Sequence, residues 1–190
     1  LFDTTGSSTS QKNQKEFDIR PRFYPFFSEL STADLMILKP NTMTTIFDKA
    51  TRDDLITRIN TLNENSTAQW GKMNVYQVLK HCIMVDEMYL DRRAYDRKFI
   101  GRIFGKIALK NLTKDEKPMG KNAPTGDDFK IKEIDGDVTE EKAKWAALIG
   151  EYAHFSHNDF EHWFFGQMTR EQVGILAYKH ADHHLRQFNS

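Results

Sequence analysis

Apolar positions recur at helical spacing through most of the chain beyond residue 50. Leu55, Ile56, Ile59 and Leu62 fall a turn apart over residues 50–62, behind Thr51 and the acidic pair Asp53 and Asp54. Asn74 is a suitable N-cap for a second helix reaching to about residue 95, with Val75, Val78, Leu79, Cys82, Val85 and Tyr89 as its stripe. Residues 99–112 carry a weaker helical pattern interrupted by Gly101 and Gly105. Residues 113–136, with Pro118, Gly120, Pro124, Gly126 and Gly136, read as a long irregular connection. Asp137 and Glu140 then open a helix to about residue 155. Residues 156–168 read as an aromatic-rich loop, and Thr169 with Gln172 forms a capping box for a last helix to about residue 188. No run alternates convincingly as a strand, and nothing repeats. The expected fold is an all-α bundle with a long crossover loop.

Ahead of this body, residues 4–16 are polar and of low complexity, and residues 17–35 mix aromatics with prolines without periodicity. The expected organisation is a flexible N-terminal extension over residues 1–35 and one helical domain over residues 36–190. With 190 residues, the chain can close one good core but hardly two. Its 27 basic and 27 acidic residues cancel, which argues against broad nucleic-acid binding. No apolar stretch is long enough to span a bilayer and no export signal is visible, so a cytoplasmic protein without a membrane partner is expected. A single cysteine, Cys82, excludes an internal disulfide and a cysteine-based zinc knuckle.

Six of the seven histidines crowd into residues 154–184. On a helical wheel of the last helix, Val173, Ala177, His180, His184 and Gln187 share one sector, the face expected to turn inward. His180 and His184, four residues apart, stack one turn above the other and can grip one ion. His183 falls at the sector's edge, as a supporting or surface residue. On the second helix His81 sits among Gln77, Val78, Met84, Val85 and Met88, again on an apolar face. A buried imidazole needs a partner, at a cost of roughly 1–3 kcal/mol if left without one. Hydrogen bonding to backbone carbonyls would satisfy these rings. So would shared coordination of one divalent cation, leaving an open position for water or substrate. A nitrogen-only ligand set favours zinc or nickel over magnesium or calcium. Cys82 points about 100° from His81 and reads as a small buried hydrophobe.

The segment WGKMNVYQVLKH around the second helix and the end HWFFGQMTREQVGILAYKHADHHLRQF resemble the DinB/YfiT-like metalloenzyme superfamily, most of all a branch catalogued only as a domain of unknown function. The resemblance covers roughly residues 44–189 and rests on a mid-helix His followed by a terminal His-x-x-x-His-x-x-Gln. It implies a four-helix bundle, a homodimer, and His81, His180 and His184 as ligands of a divalent metal. Characterised members are thiol-dependent S-transferases and isomerases, so the resemblance also implies a low-molecular-weight thiol and a small electrophilic substrate. Nothing in residues 1–35 matches the family, and no thiol-cofactor pocket is identifiable from the sequence.

Other residues bear on that chemistry. His162, in the run His162-Trp163-Phe164-Phe165-Gly166, is a candidate acid–base group at the pocket mouth; an aromatic plug at the end of the bundle is the plainer reading. Glu161 and Asp159 are candidate partners for a ligand histidine's free N–H. The lysines of residues 113–136 suit either a lid for an anionic substrate or, more simply, a solvated crossover. Arg92, Arg93, Arg97, Lys98 and Arg102 form a basic run that suits an anionic partner or an ordinary solvated face. The expected activity is S-transfer to a small electrophile. A metal-dependent hydrolase and a non-catalytic, stress-associated metal-binding bundle are the alternatives.

Overall fold

The computed structural model describes residues 42–190. The proposed extension over residues 1–35 and the boundary at residue 36 lie outside the described residues. Five α-helices dominate: α1 (Lys49–Thr61), α2 (Val75–Tyr89), α3 (Phe99–Leu112), α4 (Val138–Glu151) and α5 (Arg170–Gln187). Four of them close a ring of packing, in which α1 and α2 each lie against both α4 and α5. Leu55 and Ile59 of α1, Val78 and Leu79 of α2, Trp145 and Ile149 of α4, and Val173 and Leu185 of α5 fill its centre. Each such side chain contributes about 1.5–3 kcal/mol on burial. Among the described residues no helix is long and apolar enough to cross a membrane.

Capping chemistry sets the starts of the elements. Asn74 accepts from Gln77 N while the Gln77 side chain accepts from Asn74 N, and Thr169 with Gln172 repeats the arrangement on α5. Asp137 accepts from Glu140 N at 2.9 Å. The second helix stops at Tyr89, short of the expected residue 95. Asp91 takes a left-handed conformation (φ 58°), Arg92 N bonds back to Glu87 O at 2.7 Å, and Arg92 and Arg93 pair with Glu151 and Glu87. These bonds satisfy the end of α2 and turn the chain away, which outweighs the helical propensity of the basic run.

Residues 156–168 are not wholly loop. β1 (Phe160–His162) and β2 (Gly166–Met168) form an antiparallel hairpin in which His162 faces Gly166, and Gly166 supplies the positive φ of 77°. Three-residue strands are too short to show a two-residue period. The glycines of α3 explain why this weak pattern is one continuous helix. A Cβ on Gly101 or Gly105 would stand 2.4 or 2.1 Å from the Phe164 carbonyl oxygen, so both glycines let the helix lie directly on the hairpin turn.

The last helix is buried well beyond one sector. Lys179 and Asp182 are buried with the expected face: Asp182 meets Arg58 of α1 at 3.0 Å, and Lys179 Nζ donates to the carbonyls of Leu112, Asp115 and Lys117. The lysine therefore anchors the start of the long connection, which is otherwise irregular apart from a 3₁₀ turn at Asp127–Phe129.

Candidate metal centre

α2 and α5 pack together and bring three imidazoles to one point. The ligand-capable nitrogens of His81, His180 and His184 all lie within 4.8 Å of one another, and His81 Nε2 is 3.1 Å from His180 Nε2. A tetrahedral ion with nitrogens about 2.1 Å away holds them about 3.4 Å apart, so bringing the widest pair onto one ion takes ring movements that total at most about 1.4 Å.

Neighbours orient the rings. His81 Nδ1 is 3.1 Å from the Phe129 carbonyl oxygen, which can only accept, so Nδ1 carries the proton and Nε2 keeps its lone pair. His184 Nδ1 is 2.9 Å from Gln187 Oε1, and Gln187 Nε2 in turn donates to the Trp70 carbonyl at 2.6 Å. His184 therefore also presents Nε2. This outer layer of hydrogen bonds is what fixes tautomer and ring angle in histidine metal sites. It is supplied by a backbone carbonyl and Gln187, whereas Glu161 is exposed and paired with Arg97.

Burial keeps the cluster neutral. It lowers His81 below the ordinary imidazole range, and burial followed by repulsion from His81 takes His184 down to about 3. His180 is also held well below the usual value, by burial and then by His184 and His81. Neutral imidazoles with free lone pairs are the form that binds a cation. The donor set and its orientation fit a divalent ion.

The three rings line a cavity of about 1020 Å³. Met73, Phe129, Trp163 and Phe165 contribute apolar walls, and Lys72, Lys121 and Lys130 are the lysines beside them. Two parts of the long connection, residues 119–126 and 129–131, line this cavity, so it is more than a solvated crossover. Trp70 lines the cavity too, and its buried Nε1 has no hydrogen-bond partner among the described residues. His183 also reaches the wall, with its ring 5.0 Å from that of His184 and 5.7 Å from Trp70. Cys82 is wholly buried in the core, and burial pushes its thiol up. It is not among the cavity residues.

His162 lines the cavity as well, but its Nδ1 accepts the backbone N–H groups of Phe164 at 3.0 Å and Phe165 at 3.1 Å. The ring proton therefore sits on Nε2, and burial followed by the Arg97 charge lowers its pKa to about 3. In this setting the imidazole pins the hairpin turn.

A largely helical protein with three convergent, neutral histidines in the wall of a large cavity is the class that these observations define. The chain belongs to the family described as "Protein of unknown function (DUF1569)", whose sequence profile matches residues 45–190. No curated protein and no solved structure matches the chain.

Proposed function

We propose that His81, His180 and His184 hold one divalent metal ion, zinc or nickel, and that the protein is an S-transferase joining a low-molecular-weight thiol to a small electrophile. The observation that carries the reading is the cluster itself: three neutral imidazoles, two with their lone pairs aimed by hydrogen bonds, opening on a cavity of ligand size. The ring of α1, α2, α4 and α5 supports a four-helix bundle of the DinB/YfiT-like kind.

The ion, when bound, would lower the proton affinity of an incoming thiol so that it reacts as thiolate at neutral pH. The chain's own residues do the rest. Phe129 and Gln187 hold His81 and His184 in register. The apolar walls exclude water from the electrophile, and the Trp70 ring is part of them. Lys72 and Lys121 favour an anionic thiol or electrophile. In the transfer a new S–C bond forms as the leaving group departs, and the thiol proton passes to solvent. His162 serves as a hydrogen-bond donor and brace, since its Nδ1 is already occupied.

Elemental analysis of untagged protein and of His180→Ala tests the site: about one ion per chain in the first and a clear loss in the second are expected, and equal stoichiometry overturns the triad. A panel of thiols and electrophiles tests the activity. Turnover must disappear on chelation and in His184→Ala, and persist in Cys82→Ser. Thiol-independent hydrolysis in place of conjugation would make the protein a hydrolase.

A further inference from the structure

The cavity leaves one large feature of the molecule unused. On α3, Phe99, Ile100, Ile103, Phe104 and Ile107 are 51–76% exposed. They span about 140° of the helix at 100° per residue, while Gly101, Gly105 and Leu109 turn inward. Five large apolar side chains in one exposed sector make a contiguous patch of the kind that marks an interaction site.

The charge beside this patch is one-sided. Residues 97–114 contain Arg97, Lys98, Arg102, Lys106, Lys110 and Lys114 and no acidic residue, in a chain whose net charge is zero. Arg97 and Lys98 are paired with Glu161 and Asp128. Arg102, Lys106 and Lys110 form no ion pair among the described residues, and the wheel places Arg102 and Lys106 along one edge of the apolar sector and Lys110 just inside that edge, between Phe99 and Ile103. Lys106 does reach the Gln167 carbonyl, which anchors it at that edge without neutralising it.

We infer that the outer face of α3 docks on an anionic lipid surface, with the isoleucines and phenylalanines entering the headgroup boundary and Arg102, Lys106 and Lys110 meeting lipid phosphates. An apolar sector edged by arginine and lysine is the pattern of helices that lie in the membrane plane. Lack of a spanning helix bears on crossing a bilayer and not on resting against one. Charge complementarity selects this occupant over a second copy, because α3 carries no acidic residue with which a second α3 could meet Arg102, Lys106 and Lys110. Three isoleucines and two phenylalanines offer hydrocarbon to their partner, which a nucleic-acid backbone cannot use. Ala108 and Leu112 of the same helix line the histidine cavity, so the docked face and the cavity share one element. The inference does not depend on the metal.

The test is flotation of the full chain with vesicles of phosphatidylcholine alone and of phosphatidylcholine with about one-third phosphatidylserine. Binding to the anionic vesicles only, weakened by salt, is expected. The triple variant Arg102→Gln, Lys106→Gln, Lys110→Gln should lose about fivefold in affinity per charge, roughly 100-fold in all. Ile103→Ser with Ile107→Ser should abolish binding even at low salt. All five side chains are exposed, so unchanged circular dichroism and thermal midpoint verify that these variants fold. Failure of the full chain to bind anionic vesicles overturns the inference. So does binding that both variants retain, and so does a dimer that Ile103→Ser with Ile107→Ser dissociates while no vesicle binds.

Discussion

Asp86, one turn beyond Cys82 on α2, offers the sharpest test of the core. Its carboxylate is buried and accepts from Trp145 Nε1 at 2.8 Å and from Tyr152 OH at 2.7 Å. Burial raises its pKa from 3.8 to about 7, and the two hydrogen bonds offset only part of that. Between these values the unfolded chain releases a proton that the folded chain keeps. The folded state binds more protons there, so the contribution of Asp86 to stability falls as pH rises from about 4 to about 7. At about 1.4 kcal/mol per pH unit over about three units, the loss reaches roughly 4 kcal/mol. Asp86→Asn removes the ionisation and keeps both partners: the amide oxygen accepts from Trp145 and the amide nitrogen donates to the Tyr152 oxygen. Urea unfolding of wild type and Asp86→Asn in parallel, at several pH values from about 4.5 to 8, isolates this one group from the titrating histidines. The stability difference should move in favour of Asp86→Asn by about 1.4 kcal/mol per pH unit until it levels near pH 7. A difference that stays flat across that range would refute the reasoning.

Other outcomes follow from the same geometry. Burial lowers His81 below the usual imidazole range and holds His180 and His184 well below it, so protons compete poorly for the last two, and metal measured after dialysis at about pH 5 should be retained; release near pH 6.5 would count against the site. Gly105→Ala places a Cβ against the Phe164 carbonyl and should cost about 1–3 kcal/mol, read as a lower thermal midpoint, whereas an unchanged midpoint would mean that α3 does not pack on the hairpin. Lys179→Met strips three carbonyls of their donor and should lower the midpoint by roughly 5–10 °C. Asn74→Ala loses the capping box of α2 and should cost about 1 kcal/mol in chemical denaturation.

Local chemistry written in consecutive residues was legible without coordinates. Asn74 with Gln77 and Thr169 with Gln172 mark helix starts, because a capping box is complete within four residues. The four-residue spacing of His180 and His184 places both on one helix face, and Gln187 falls in the same sector. What depended on distant segments was not legible. The Phe129 carbonyl that orients His81 is backbone, carries no side-chain signature and arrives from 48 residues away. The end of α2 at Tyr89 was decided by ion pairs of Arg92 and Arg93 and by one left-handed residue, against local propensity. Gly101 and Gly105 read as helix interruptions until the hairpin turn that needs their missing side chains is in place. Lys179, polar by composition, is buried because the connection folds three carbonyls onto it. Periodicity determines which face of a helix is apolar; only the tertiary structure decides what covers that face, and on α3 the described residues leave it open to solvent.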